Sequence, residues 1–185
     1  MSPLSLQQLA AICPRTKRDK LEPFVEPLNA AFEEFEINTP ERRSAFLAQA
    51  AHETGGFQWM KEFASGEAYD DRKDLGNEKL DGFSKGEGAR FKGRGIFQLT
   101  GEANYVKAGE ALYGDSEWFR SNPEAAAEPV DACRIAGWYW QTHRLNELAD
   151  RGDFKGITKR INGGTNGLED RIAYHGRAQS VLDVA

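Results

Sequence analysis

One amphipathic segment, closed by a pair of glycines, constrains the fold of this chain most. Thr39 suits the cap of a helix, Pro40 suits its first position, and Phe46 falls on the face that such a helix would bury. Gly55 and Gly56 follow, and glycine readily adopts the left-handed conformation that closes a helix. The sequence therefore predicts a helix that begins at residues 39–40 and ends at the glycine pair.

Helical spacing of apolar residues recurs along most of the chain. It predicts further helices over residues 4–12, 16–35, 101–113, 130–141, 145–149, 154–160 and 168–182. Because of Pro23 and Pro27, the second of these either begins near Pro27 or is kinked. The composition of residues 61–90, rich in Gly, Asp, Glu and Lys, predicts a long surface loop with room for short helical turns. The aromatic residues and glycines of residues 90–100 predict a short strand or hairpin. We find no repeat or linker, so we expect one mostly α domain, residues 1–185, with a small β element.

Composition argues against several classes of protein. A net charge of −5 over 185 residues disfavours binding to nucleic acid through general phosphate attraction. Cys13 and Cys133 are too few for a disulfide framework, and the N-terminus has no signal-peptide pattern. No apolar run approaches the ~20 residues of a membrane-spanning helix. We expect a monomer made in a reducing cytoplasm, without a cofactor, a nucleic-acid partner or membrane insertion.

Glu53 lies at the predicted end of the helix, just before the glycine pair. The C-terminus of a helix carries partial negative charge, and proximity to a buried face removes water; both favour a protonated carboxyl, which a general acid needs. The alternative is a solvated glutamate at a frayed helix end. His52 precedes it, but a helical zinc-protease motif needs a second histidine at the position that Gly56 occupies. We therefore expect no metal site.

If this acid has a catalytic partner, a second carboxylate is needed. An inverting glycosidase keeps its two carboxyls roughly 6.5–9.5 Å apart, with room for a water. Glu62 follows Glu53 across the glycine turn and is the first candidate, and plain solvation is the alternative for it. The remaining acids of this loop are predicted to be solvated: Glu67, Asp70, Asp71 and Asp74.

The segment Arg90–Thr100 combines glycines with basic, aromatic and polar residues. Its glycines allow a backbone to approach a ligand, and Gln98 and Thr100 have strand spacing, which suits recognition of hydroxyl and amide groups. Asn104 and Tyr105 follow one turn later and add an amide and a ring. Binding of RNA by this basic and aromatic stretch is the alternative, which the acidic balance of the chain disfavours.

Four segments taken together resemble glycoside hydrolase family 19, and more narrowly its phage endolysin branch. They are His52–Gly56, Tyr69–Asn77, Phe91–Tyr105 and Ile161–Gly167. The resemblance runs from about residue 40 to the C-terminus, and residues 1–38 could pack as an extra helical lobe. It implies a mostly α, lysozyme-like fold of two lobes, with a small β element flanking a cleft, and an inverting mechanism.

The resemblance also implies roles for single residues. Glu53 matches the general acid, and Glu62 is the expected base with Glu67 in reserve, although plant members place the base much later. The substrate-binding positions are Gln98, Thr100, Asn104, Tyr105, Asn162 and Arg171. Arg171 also matches an arginine that pairs near the acid in plant members. The acidic residue that those members carry after Asn-Gly-Gly is replaced by Asn166. The charge network around Glu53 therefore need not be that of the plant members, and Arg90 and Arg94 are candidate cations for it.

These features together predict an endolysin that hydrolyses the β-1,4 bonds of bacterial peptidoglycan. Such an enzyme would wait in the host cytoplasm and reach the periplasm and cell wall after a holin opens the membrane. A chitinase on the same fold is the first alternative. A cell-wall binding module without catalysis is the second, and the intact acid motif speaks against it.

Overall fold

The computed structural model describes residues 2–77 and 86–182, and the prediction of a mostly α fold is confirmed. Within those residues, none of the helices is long and apolar enough to cross a bilayer. The α-helices there are α1 (Leu6–Ile12), α2 (Arg18–Glu34), α3 (Pro40–Glu53), α4 (Glu87–Arg90), α5 (Glu102–Tyr113), α6 (Trp118–Ser121), α7 (Pro129–Thr142), α8 (Leu145–Asp150), α9 (Phe154–Asn162) and α10 (Leu168–Val181).

The chain divides into two compact units. Unit 1 comprises Met1–Trp59 and Ala136–Ala185, and unit 2 comprises Met60–Ile135. The described part of unit 2 also contains short 3₁₀ helices at Glu67–Tyr69, Lys73–Leu75 and Pro123–Ala127. Sequence spacing did not predict α6 or the last of these. Residues 78–85 of the predicted surface loop lie outside the described residues, and the rest of the loop contains short helical turns as expected.

The predicted helix around residues 40–53 is confirmed, with its caps. The Thr39 hydroxyl accepts a hydrogen bond from the backbone N–H of Arg42 at 3.2 Å. At the other end, the N–H of Gly55 donates to the His52 carbonyl at 3.3 Å and that of Gly56 to the Ala51 carbonyl at 2.6 Å. This pair of bonds forms a Schellman motif, in which a left-handed residue satisfies the last carbonyls of a helix. Glu53 is therefore the last residue of α3.

Two predictions about secondary structure are corrected. Helix α2 begins at Arg18 and passes through both Pro23 and Pro27, so a start near Pro27 is wrong. Pro23 is exposed and Pro27 half-buried, while Leu21, Phe24, Leu28 and other apolar residues of α2 are buried, and this packing outweighs the lost backbone bonds. The predicted strand or hairpin at 90–100 is reduced to isolated bridges that pair Arg94 with Lys61 and with Leu99.

Helices α3 and α10 form the centre of unit 1. Nine consecutive residues of α3, from Arg43 to Ala51, are buried. The Phe46 ring packs edge-on against Phe32 at 5.6 Å and Trp140 at 5.2 Å between centroids. The N-terminal helices α1 and α2 belong to the same compact unit and do not form an extra lobe.

In unit 2, the buried side chain of Asn77 fixes two segments. Its amide donates to the carbonyl of Tyr69 at 2.8 Å, and its oxygen accepts from the N–H of Glu102 at 2.9 Å. Glu102 is the first residue of α5, so Asn77 caps that helix from a distant part of the chain. The same contacts hold Tyr69 in place, which matters for the site described below.

Gly176 gives a test of the helical packing. It lies inside α10, and a Cβ added there would meet nothing within 4 Å. Because glycine costs roughly 0.5–1 kcal/mol relative to alanine in a helix interior, we expect Gly176→Ala to raise the free energy of unfolding by about that amount. Chemical denaturation of both proteins measures the change. Destabilisation by this variant would contradict the described environment of α10.

Candidate active site

Glu53 lies in unit 1, at the end of α3, with 22% of its side chain exposed. Its Oε1 accepts a hydrogen bond from Nη2 of Arg171 at 2.5 Å. Arg171 comes from α10 and only 1% of its side chain is exposed. The pairing of Arg171 with the acid, implied by the resemblance, is therefore present. Arg171 is too deeply buried to be a free substrate ligand, so its assignment to substrate binding is corrected.

A buried chain of polar groups holds Arg171. Its Nη1 donates to Oε1 of Gln49 at 2.5 Å, and its Nε donates to the Asn166 carbonyl at 3.3 Å. The Gln49 amide in turn donates to the Thr158 hydroxyl at 2.9 Å. Gln49 precedes Glu53 by one helical turn, so both side chains lie on one face of α3. Our sequence reasoning missed Gln49, and that helical spacing was the signal that could have found it.

The turn after Glu53 is held by a residue from the N-terminal segment. The Thr16 hydroxyl donates to the Gly56 carbonyl at 2.8 Å. Gly56 has φ +80°, and a Cβ there would lie 2.6 Å from Thr16 Oγ1 and 3.7 Å from the Tyr174 hydroxyl. The glycine is thus required both by its backbone conformation and by the space that its neighbours leave.

His52 pairs with Asp170, whose Oδ2 lies 2.7 Å from the imidazole Nδ1. A Cβ at Gly167 would lie 2.3 Å from the same ring, so the Asn-Gly-Gly loop packs closely on His52. Among the described residues, no cluster of His, Cys, Asp and Glu could hold a metal ion. The His52 imidazole is thus held by Asp170, a residue of the same unit.

Tyr139 lies near the acid, and Asn162 shares a hydrogen-bond acceptor with Arg171. Burial, followed by the charge of Glu53, raises the pKa of Tyr139, which places that phenol near the acid. Tyr139 belongs to α7 and was not predicted as a residue of the site. The Asn162 amide donates to the Asn166 carbonyl at 3.1 Å, the same oxygen that Arg171 approaches. Substrate binding by Asn162 stays a prediction.

Glu62 lies in unit 2 and is half-buried. Its Oε1 accepts from the Tyr69 hydroxyl at 2.9 Å, and its Oε2 accepts from the Gly93 N–H at 3.1 Å. The hydrogen bond to this carboxylate raises the pKa of Tyr69. The reserve base, Glu67, is exposed in the 3₁₀ helix that contains Tyr69. Of the two acids, Glu62 is therefore the one that the surrounding structure orients.

Three of the predicted site residues converge on Gly93. A Cβ at this position would lie 2.5 Å from Gln98 Oε1, 3.1 Å from Glu62 Oε2 and 3.3 Å from Thr100 Oγ1. Gln98 has a left-handed backbone at φ +51°, and its amide donates to the Gly95 carbonyl at 3.0 Å. The glycine leaves room for a cluster of polar oxygens beside the Glu62 carboxylate.

Asn104 and Tyr105 follow at the start of α5 with different surroundings. The Asn104 amide donates to the Thr100 carbonyl at 2.7 Å, and the residue is half-buried. Tyr105 is 0% exposed, and its hydroxyl donates to the Lys92 carbonyl and accepts from Arg94. Burial raises the pKa of Tyr105 to about 12. The prediction that Tyr105 binds substrate is therefore wrong, because its ring supports the turn from inside the core.

The proposed substitutes in the charge network have other partners. Arg94 pairs with Glu124 at 2.5 Å, and Arg90 donates to the Arg120 carbonyl at 2.9 Å. Lys61 also pairs with Glu124, and these two cations lower the pKa of that carboxyl. Among the described residues, Glu53 thus pairs with Arg171, while Arg90 and Arg94 have the partners given above.

We expect Arg171→Met to lower the free energy of unfolding by about 3 kcal/mol. Breaking a buried ion pair is strongly destabilising, and the partial hydration of Glu53 places the cost at the low end of that range. Arg42→Met is the matched control on α3, because it removes a more exposed pair with Asp150 and should cost under ~1 kcal/mol. Equal losses in chemical denaturation would contradict a supporting role for the buried network.

We expect Tyr69→Phe to reduce turnover of glycan by about tenfold, because one of the two donors that orient Glu62 is lost. Tyr113→Phe is the control, since its hydroxyl likewise donates to a carboxylate, that of Asp131, elsewhere in unit 2. Initial rates on one soluble oligosaccharide measure both variants. Unchanged turnover for Tyr69→Phe, or an equal loss for Tyr113→Phe, would contradict the role assigned to this hydrogen bond.

The fold is that of lysozyme-like glycosidases. The chain superposes on a bacterial family 19 chitinase with a TM-score of 0.77 and 24% identity, covering 98% of this chain and 95% of that one. Chitinase C from Streptomyces griseus superposes with a TM-score of 0.72 and 24% identity, covering 97% and 76%. The lysozyme-like fold prediction is confirmed.

Sequence comparison identifies the family. The family described as "Chitinase class I" matches residues 27–156. A glycosyl hydrolase family 19 domain-containing protein of Haemophilus influenzae is 30% identical over 174 residues, covering 77% of this chain and 80% of that protein. This chain therefore belongs to glycoside hydrolase family 19 and is a glycosidase.

Plant enzymes are also similar but longer. Acidic endochitinase SP2 of Beta vulgaris is 30% identical over 161 residues, covering 84% of this chain and 52% of that protein. Acidic endochitinase Q of Nicotiana tabacum is 28% identical over 170 residues, covering 77% and 61%. The chain thus spans about half to two thirds of the length of these plant relatives.

Proposed function

We propose that this protein is an endolysin that hydrolyses the β-1,4 glycosidic bonds of bacterial peptidoglycan with inversion. Glu53 acts as the general acid and Glu62 as the general base. The observation that carries the proposal is that separate sets of donors orient these two carboxylates: Arg171 on Glu53, and Tyr69 with the Gly93 N–H on Glu62. Membership of a glycosidase family supports the reaction class.

In this mechanism each oxygen has a task. Glu53 pairs with Arg171 through Oε1, so it must take up a proton before it can act as an acid. We assign this proton to Oε2, which delivers it to the glycosidic oxygen as the bond breaks. Glu62 takes a proton from a water that attacks the opposite face of the sugar. Gln98 and Thr100 hold that water, since their oxygens lie around the same Gly93 position as the Glu62 carboxylate. Asn104 and Asn162 bind the sugar.

The resemblance of four segments to the phage branch supports peptidoglycan as the partner of a monomeric enzyme. The enzyme would accumulate in the host cytoplasm and meet the cell wall after a holin opens the membrane. It needs no cofactor and no nucleic acid for this reaction, because both catalytic groups are carboxyls of the chain itself.

Chitin hydrolysis is the second candidate, favoured by the names of the Beta vulgaris and Nicotiana tabacum relatives, which are endochitinases. The test compares turbidity loss of outer-membrane-permeabilised Gram-negative cells with release of soluble sugar from chitin, with Glu53→Gln as the inactive control. We expect lysis of the cells. Release of sugar from chitin without any lysis would reject the endolysin and support the chitinase.

A further inference from the structure

The segment from Arg15 to Lys20 carries an unusual concentration of positive charge for a chain with a net charge of −5. Four of its six residues are cations, and all four are exposed: Arg15, Lys17, Arg18 and Lys20. Asp19 is the one acid in this segment. Within residues 2–77 and 86–182, none of the four cations has an ion-pair partner. We call these four residues the basic cluster.

The stability of α2 does not account for the basic cluster. Arg18 is the first residue of this helix and Lys17 is its N-cap, which makes no side-chain capping bond. Cations at the N-terminus of a helix are repelled by its partial positive charge. The fold would therefore be served better by acidic or neutral side chains at these positions.

An open cavity of about 440 Å³ adjoins the basic cluster. This volume falls within the range of pockets that hold small ligands. Ala10, Ala11 and Pro14 give it apolar walls, while Gln7, Thr16 and Arg18 supply polar groups. The cavity thus combines a surface for aliphatic groups with the cationic side chain of Arg18.

The cluster and the cavity adjoin the turn that follows the candidate acid. Thr16 lines the cavity and donates a hydrogen bond to the Gly56 carbonyl at 2.8 Å. Burial raises the pKa of Tyr174, while the charges of Arg177 and, to a lesser extent, Arg15 oppose this rise, so Arg15 lies near that phenol. The Tyr174 hydroxyl in turn lies beside Gly56. A ligand held here would therefore be close, within unit 1, to the polypeptide that carries Glu53.

We propose that the basic cluster and its cavity bind the acidic stem peptide of peptidoglycan. Arg and Lys side chains would pair with the carboxylates of the peptide, and the alanine and proline walls would contact its aliphatic side chains. The inference rests on the proposed function, because it names a second part of the same substrate. Chitin is uncharged and carries no peptide, so it has no carboxylate that could pair with the basic cluster.

The test is a titration of the intact protein with an N-acetylated stem tetrapeptide at low salt. NMR or calorimetry measures the affinity for the peptide. The triple variant Lys17→Gln, Arg18→Gln, Lys20→Gln should bind the peptide about tenfold more weakly, as expected for three exposed ion pairs. A matched control removes three exposed cations elsewhere in unit 1, with Arg151→Gln, Lys155→Gln and Lys159→Gln, and should leave binding unchanged. The same peptide with its carboxylates amidated should lose most of its affinity.

Binding and hydrolysis can fail separately. Equal affinity of the acidic and amidated peptides, undiminished binding by the triple variant, or no peptide binding at all would overturn this inference, even if the enzyme cuts peptidoglycan. Peptide binding without cleavage of peptidoglycan would leave this inference standing and reject the proposed function. If the wild type hydrolyses a neutral chitin oligosaccharide, the triple variant should hydrolyse it at the same rate. This comparison checks that the variant is folded.

Discussion

We expect replacement of Glu53 with glutamine to lower the rate of glycan hydrolysis by at least ~10²-fold, the usual scale of general acid catalysis. Glutamine preserves the shape of the side chain and its oxygen still accepts from Arg171, but it has no acidic proton to transfer to the leaving oxygen. Initial rates on purified peptidoglycan, with soluble reducing ends as the readout, measure the effect. The loss should appear in kcat, since the proton is transferred only as the bond breaks.

Glu41→Gln is the matched control, because Glu41 is an exposed acid on the first turn of the same helix. Its activity should equal that of the wild type. Glu53→Gln also leaves Arg171 without a charged partner, so the free energy of unfolding must be measured beside the rate. Wild-type activity in a folded Glu53→Gln protein would remove Glu53 from the mechanism.

The second large effect is expected for Glu62→Gln, which should lose nearly as much activity while glycan binding survives. A glutamine at this position still accepts one hydrogen bond but takes no proton from water, so the attacking nucleophile is not generated. Titration of the variant with an oligosaccharide that it no longer cuts measures the binding. Loss of turnover with unchanged affinity is the signature that separates a base from a binding residue.

Glu67→Gln is the control for this assignment, since Glu67 lies five positions later in the same loop and is exposed. We expect it to be fully active. An inactive Glu67→Gln protein together with an active Glu62→Gln protein would transfer the role of base to Glu67.

Local features of the fold were predictable because their signals are local. The caps of α3 are specified by Thr39, Pro40 and the glycine pair, and all of them act within a few residues of the helix ends. The two prolines of α2 misled the prediction for the opposite reason: the apolar face of that helix is buried against distant residues, and the resulting packing is invisible to a local rule.

The candidate site was predictable only in part. Glu53 and Arg171 are 118 positions apart in sequence, so their pairing was implied by a family resemblance and not by spacing. The roles of Gln49 and Thr158 depend on a buried contact across 109 positions. The substrate-binding prediction for Tyr105 was wrong for a different reason. An aromatic ring near polar residues suggested a platform for a sugar, but the ring is buried, and its burial depends on tertiary packing that the local sequence does not reveal.

The most direct test of the account is to determine the anomeric configuration of the first product. Proton NMR measures it during hydrolysis of a β-1,4-linked glycan that the enzyme cuts. Attack of a water activated by Glu62, on the face opposite to the bond that Glu53 protonates, must give a new reducing end that is initially α. We predict this α product, which then mutarotates. An initial β product would mean a covalent intermediate or retention by another route, and would contradict the roles assigned to both carboxylates.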